Sequence, residues 1–169
     1  MPVFGVVLVS QFVGMTLALG LAIVGGETFP GGADLVVCLL AGGLGAVGIS
    51  ALYRGLAVGR MGIVAPVTGV LAAIIPVIAG IYFEGVPSPL VQVGIVVAVL
   101  AVILVSRVAD EGGGRAGLAE ALVAGVAIGL FGVAINGLSD GNVFASLTVI
   151  RLVQGALVGV AIIVARQAW

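Results

Sequence analysis

Residues Met61 to Glu84 read MGIVAPVTGVLAAIIPVIAGIYFE, an apolar run with no charge before Glu84. A helix of this length spans a bilayer core of about 30 Å. The run also contains Pro66 and Pro76, each of which removes a backbone donor and disturbs the preceding helical turn. In lipid, the carbonyl groups freed in this way must find partners in protein or water. We therefore expect this helix to face other helices or a cavity, and to bend.

The composition indicates an all-α, polytopic membrane protein. Of 169 residues, 62% are hydrophobic and 8% are charged, whereas soluble domains carry about 25% charged residues. Histidine and lysine are absent, and Cys38 is the single cysteine, so we expect no disulfide within the chain, no metal site and no catalytic site. The net charge of −1 argues against a nucleic-acid partner. Gly43, Gly45 and Gly48 spell G-x-G-x-x-G, but inside an apolar helix with no preceding strand, so we expect no cofactor.

Six apolar segments predict six transmembrane helices joined by short loops, so that neighbours in sequence pack antiparallel. The segments are Val3 to Val24, Leu35 to Tyr53, Met61 to Glu84, Leu90 to Ser106, Leu118 to Leu138 and Val143 to Ala165.

The arginines predict the orientation of these segments. They follow the second, fourth and sixth segments, at Arg54, Arg60, Arg107, Arg115 and Arg166. The other three loops contain acidic residues and no arginine. The positive-inside rule then places both termini in the cytoplasm, with the chain in the cytoplasmic membrane.

An internal repeat is indicated at an offset of 140 residues, which lays the first segment onto the sixth. This offset covers five segments, an odd number, so the two copies run in opposite directions across the bilayer. Inverted repeats of this kind are typical of secondary transporters. The matched positions are Val3, Phe4, Val9, Val13, Leu17, Ile23 and Val24 with Val143, Phe144, Val149, Val153, Leu157, Ile163 and Val164.

A longer stretch, Ala51 to Arg107, reads ALYRGLAVGRMGIVAPVTGVLAAIIPVIAGIYFEGVPSPLVQVGIVVAVLAVILVSR. It resembles the EamA domain of the drug/metabolite transporter superfamily. The shared features are a helix ending in an aromatic and a basic residue, a short loop, a proline-bearing helix closed by Glu84, and a Pro-Ser-Pro-like start to the next helix. The final helix of the pattern carries glycine and precedes a linker.

The resemblance implies two inverted five-helix repeats around a central cavity, and transport of small metabolites or drugs by alternating access without ATP hydrolysis. Matched to it, residues 1–106 are four helices of the first repeat, whose first helix is missing. Residues 107–117 are a linker, and residues 118–169 are the first two helices of the second repeat. The chain is then a fragment that covers helices two to seven of ten.

Arg151 is the charged candidate for the substrate pathway. It lies about 12 Å along the sixth segment, where an arginine costs about 2.5–3.5 kcal/mol to insert. We expect it to face the bundle interior and to find a carbonyl or an acid there. As a functional residue it would bind an anionic group or pair with a carboxylate. The alternatives are that it snorkels towards the interface or holds two helices together. Glu120 lies near the predicted cytoplasmic end of the fifth segment and reads as an interfacial charge rather than a coupling carboxylate.

Five further residues are assigned to the substrate pathway. Pro66 and Pro76 mark the helix expected to bend, and Gln11, Thr68 and Asn136 are uncharged polar groups within segments. Interhelical hydrogen bonding is the alternative role for each polar group. Gln11 matches Arg151 under the repeat offset, so the two are expected at pseudo-symmetric positions.

The competing hypotheses are a non-transporting membrane scaffold and an inactive truncated chain. A scaffold would assemble through stripes of small residues that let helices approach closely, and the six-helix chain would then form a homo-oligomer. The expected partners are otherwise a small-molecule substrate and the lipid bilayer. The stripes are Gly42, Ala46 and Ser50, then Gly14, Ala18 and Ala22, and the pairs Gly125/Gly129 and Gly155/Gly159.

Overall fold

The computed structural model describes residues 2–108, 116–139 and 141–167, which form six helices. They are α1 (Pro2–Gly25), α2 (Ala33–Val58), α3 (Met61–Glu84), α4 (Pro89–Val108), α5 (Leu118–Ile135) and α6 (Val143–Gln167).

Five of these helices, α1, α2, α3, α5 and α6, are long and apolar enough to cross a bilayer. The part of α4 whose side chains the structure describes without a gap, Pro89–Ala101, is apolar but shorter than a span. The prediction of an all-α protein with six helices is confirmed, and five of the helices are suited to span a membrane, whereas the sixth span stays a prediction.

The end of α2 differs from the prediction. The helix continues to Val58, so Arg54 lies within it rather than in a loop. Leu56 and Ala57 after Arg54 are good helix formers, and no proline follows that would stop the helix. Only Gly59 and Arg60 therefore separate α2 from α3.

The chain forms two compact units. The first unit comprises Met1–Ser50 and Ala134–Trp169, and the second comprises Ala51–Val133. Each unit thus takes helices from both sides of the predicted linker 107–117, of which 109–115 lie outside the described residues. The predicted division of the chain at this linker stays a prediction.

In the first unit, α1 packs antiparallel against α6. Just beyond the end of α1, the Glu27 carboxylate accepts a hydrogen bond of 2.7 Å from the backbone nitrogen of Ala145, in the first turn of α6. Near the other end of α6, Gly159 lies beside Leu8 of α1, and a Cβ added at Gly159 would come within 3.9 Å of the Leu8 side chain. The Glu27 carboxylate thus satisfies one of the backbone N–H donors that the first turn of α6 leaves without a partner inside the helix.

Two further side-chain contacts hold the loops of this unit together. The Asn142 side-chain oxygen accepts hydrogen bonds from the backbone nitrogen and hydroxyl of Thr28, at 3.1 and 3.3 Å. The Asp34 carboxylate accepts one of 3.1 Å from the Ser139 hydroxyl. The α1–α2 loop and the connection into α6 therefore lie at the same end of the first unit.

The same unit brings α2 directly against α6 at Gly42. A Cβ at this glycine would lie 2.6 Å from the Cβ of Val153 and 3.2 Å from the backbone oxygen of Ile150. Gly42 belongs to one of the small-residue stripes predicted to allow close approach, and here that stripe is used within the chain.

We predict that Gly42→Ala destabilises the first unit by about 1–3 kcal/mol, because a β-carbon contacts rigid atoms next to the α6 backbone. Gly43→Ala is the matched control, since a Cβ there meets nothing within 4 Å. Cys38 is fully buried on the same helix and is the only cysteine. The rate at which a maleimide dye labels Cys38 on heating therefore reports opening. Equal labelling of both variants would contradict the close approach at Gly42.

In the second unit, α3 packs parallel to α5. The hydroxyl of Thr68 donates a buried hydrogen bond of 3.2 Å to the backbone oxygen of Ala121. Two glycines of α5 lie against α3 so closely that an added Cβ would approach its side chains to 2.6 and 2.8 Å. These pairs are Gly125 with Leu71 and Gly129 with Ile75. The contacts advance together along both helices, as close parallel packing requires.

The proline-bearing helix α3 continues without interruption through Pro66 and Pro76. The Pro76 ring lies beside Gly132 of α5, where an added Cβ would come within 3.3 Å of its Cγ. The expectation that this helix faces another helix is therefore met at Pro76.

Candidate functional site

The charged side chain of Arg151 lies between α1 and α6. Its Nη1 donates a hydrogen bond of 3.0 Å to the side-chain oxygen of Gln11. Gly14, one turn further along α1, lies against the guanidinium, where an added Cβ would come within 3.3 Å of Cζ and Nε. The absence of a side chain at Gly14 thus gives the guanidinium room to lie against α1.

This contact bears out one expectation. Arg151 was expected to find a carbonyl or an acid, and its partner is the side-chain carbonyl of Gln11 on the neighbouring helix. The facing turn of α1 contains no acidic residue, and Gln11 provides an acceptor at the same depth. No carboxylate among the residues that the structure describes lies within 4.0 Å of Arg151. Its positive charge is therefore not neutralised there.

The amide of Gln11 is only half satisfied. The side chain is 1% exposed, and its oxygen accepts from Arg151 while its nitrogen Nε2 has no hydrogen-bond partner in the described structure. Rotating the amide by 180° would set Nε2 against the arginine donor, so the hydrogen bond fixes this orientation. Leaving a buried donor unpaired costs about 1–3 kcal/mol, and a functional role is one of the explanations for such a group in a native structure.

A cavity of about 350 Å³ lies beside this pair, between α1 and α6. That volume lies within the usual range for small-molecule sites. Phe12 and Leu152, both largely exposed, line it as well and leave it accessible. Arg151 and Gln11 supply its polar groups, and the remaining lining residues are Leu8, Met15, Gly155 and Ala156.

The other predicted site residues lie elsewhere. Thr68, Pro66 and Pro76 belong to the second unit, where Thr68 makes the interhelical hydrogen bond expected as its alternative role. Asn136 follows the last residue of α5 and lies in a turn, because that helix ends at Ile135 rather than at Leu138. The structure thus brings together two of the six predicted residues, Gln11 and Arg151.

Glu120 is paired in the second unit. Its Oε1 lies 3.7 Å from Nε of Arg54, and the two side chains are 25% and 70% exposed. An ion pair this exposed contributes little to stability. The interfacial reading of Glu120 agrees with this environment.

A second cavity, of about 150 Å³, lies between α3 and α4 in the second unit. Its lining is wholly aliphatic, so it offers nothing that would orient a polar ligand. It is lined by Val70, Ala73, Ile74, Val77, Ile95, Ala98 and Val99. In the part of the chain that the structure describes, no cluster of three acidic or thiol side chains is arranged to hold a metal ion.

Sequence reasoning missed the role of Gly14 and the cavity itself. Gly14 was assigned to a packing stripe, but it faces Arg151. The spacing carried a signal, because Gln11 and Gly14 lie three residues apart and so share one face of α1. Comparison of the chain with protein-family models, with curated proteins and with solved structures finds no match.

Proposed function

We propose that this chain is a secondary transporter of small metabolites or drugs, of the EamA type, that works by alternating access in the cytoplasmic membrane. The observation that carries the proposal is the cavity between two membrane helices, which is lined by the charged Arg151 and by Gln11, whose buried side-chain nitrogen is unpaired. Charged residues within spans are costly and mark substrate or ion pathways by default.

The packing of α1 on α6 also supports the inverted repeat. Two residues related by a two-fold axis contact each other only when both lie close to that axis. Gln11 and Arg151 match under the 140-residue offset and are hydrogen-bonded to each other, between helices that run antiparallel. In transporters built from inverted repeats, substrate sites lie near the bilayer midplane at the repeat interface.

The scaffold hypothesis receives less support. Gly42, Gly125 and Gly129 are occupied by contacts within the chain, at distances that leave no room for a β-carbon. These positions are therefore not available for assembly with another copy. A scaffold would also have no need for a charged cavity between its spans.

The experiment that tests the proposal is a solute-flux screen. The full chain is reconstituted in liposomes, and uptake of a panel of labelled metabolites and drugs is measured with and without a proton gradient. We expect saturable, protein-dependent flux of at least one solute class. Flux no greater than in protein-free liposomes for the whole panel would reject transport by this chain.

We predict that Pro76→Ala lowers turnover by about fivefold to tenfold, because hinge positions affect transport or catalytic cycles without contacting substrate. The substitution restores a backbone donor within α3 and removes the ring that packs on Gly132. Pro89→Ala is the matched control, since Pro89 is the first residue of α4, where proline is tolerated. The measurement is initial flux in liposomes at equal protein density. Unchanged turnover in Pro76→Ala would rule out a mechanical role for this proline.

A further inference from the structure

We infer that the cavity between α1 and α6 binds a carboxylate, which Arg151 and Gln11 hold together. Its role as the substrate site of the carrier rests on the proposed function, whereas the binding itself is measured without transport.

The charge of the site sets the charge of the ligand. Arg151 is a single cation, its recorded partner is the neutral Gln11, and no carboxylate among the described residues neutralises it. A monoanion would neutralise it, whereas a dianion such as phosphate would leave one negative charge unbalanced in an apolar cavity. The single charge thus favours a monoanion, the charge class to which a carboxylate belongs.

The donors of the site suit the two oxygens of a carboxylate. One guanidinium N–H donates to the Gln11 oxygen, which leaves others on the planar fork free to bind an anion. Gln11 also lines the cavity, and its side-chain nitrogen Nε2 is a second donor that is buried and unpaired. A carboxylate that accepts from the guanidinium with one oxygen and from Nε2 with the other would satisfy both groups.

The rest of the cavity suits an apolar body on that carboxylate. Leu8, Phe12, Met15 and Leu152 line it, and the volume of about 350 Å³ accommodates a small aliphatic or aromatic acid. A soluble acid and a membrane fatty acid present the same headgroup, so the two sources are separated by experiment.

The test uses the full chain in lipid nanodiscs and titration calorimetry. Benzoate represents a soluble acid, oleate a lipid-borne one, and benzamide the neutral isostere of benzoate. Inorganic phosphate, titrated at a pH above its second pKa, represents the dianion. We expect saturable binding of benzoate or oleate, with benzamide and phosphate weaker by at least about tenfold, because charge-assisted hydrogen bonds are lost or imbalanced. Binding of oleate alone assigns the site to a lipid-borne carboxylate, and binding of benzoate assigns it to a soluble acid.

Three variants locate the binding. Arg151→Gln should weaken it by at least about 30-fold. Gln11→Met, which keeps the size but removes both the Nε2 donor and the oxygen that accepts from Arg151, should weaken it by about tenfold. Arg54→Gln removes an arginine from outside the cavity and should leave affinity unchanged. If Arg151→Gln does not fold, Gln11→Met and the preference for benzoate over benzamide still test whether this cavity binds the carboxylate.

Equal affinity for benzoate and benzamide, or carboxylate binding that survives both cavity variants, would overturn the assignment. Flux of neutral solutes without carboxylate binding would reject the carboxylate site and leave the transporter proposal standing. Carboxylate binding without any flux would reject the transporter proposal and leave the carboxylate site standing.

Discussion

Gly117→Ala should be among the most destabilising single-methyl additions in this chain, at about 4 kcal/mol. Gly117 has φ +82°, a conformation that L side chains rarely adopt, and strain of this kind costs about 1–3 kcal/mol. A Cβ there would also lie 2.8 Å from the Cα of Gly59 and 2.8 Å from Cγ2 of Val64. This crowding adds about 1–3 kcal/mol, because backbone atoms cannot move aside as a side chain does.

Gly85→Ala is the matched control for this prediction. Gly85 has a similar φ, +92°, but an added Cβ meets nothing within 4 Å. We expect it to lose only the strain contribution, about 2 kcal/mol. The free energies of unfolding are compared by titrating mixed micelles with sodium dodecyl sulfate and following helicity by circular dichroism. Equal losses in the two variants would contradict the contact between the α2–α3 turn and the residues before α5.

The largest expected effect on function is that of Arg151→Gln. We predict that it lowers flux of a transported anion by about 10–100-fold, because a charge-assisted hydrogen bond to a buried partner contributes about 1.5–3 kcal/mol. Glutamine keeps hydrogen-bonding capacity beside Gln11 but removes the charge. The loss should therefore be confined to anionic solutes, and flux of a neutral solute through the same preparation should change little.

Arg54→Gln is the control for this loss, because Arg54 is largely exposed and paired with Glu120 in the second unit. Initial rates of flux are measured at equal protein density after confirming equal helicity of the variants. A fall of the same size for neutral and anionic solutes, or in both variants, would contradict a role of Arg151 in substrate binding.

The helices themselves were largely predictable from sequence. An uncharged run such as Met61–Glu84 has few alternatives in a bilayer, and α3 has these same bounds in the structure. The end of α2 was missed because arginine was taken to mark a loop, whereas arginine is a good helix former and Gly59 is the first residue outside the helix.

The site was predictable only in part. Burying a charge in lipid is costly, which singled out Arg151, and the repeat offset matched it with Gln11. That the two touch, and that Gly14 leaves room for the guanidinium, depends on how α1 and α6 pack. The approach of Gly117 to Gly59 joins residues far apart in the chain, and nothing local to either glycine records it.

Counterflow in proteoliposomes tests the central claim, alternating access by this chain, most directly. The vesicles are loaded with an unlabelled transported solute and diluted into a trace of the same solute carrying a label. We expect labelled solute to accumulate inside transiently above its external concentration, because a carrier exchanges one molecule for another across the bilayer. Equilibration of the label without an overshoot would indicate a leak or a channel. No entry of label would indicate a chain that does not transport. Either result would contradict alternating access.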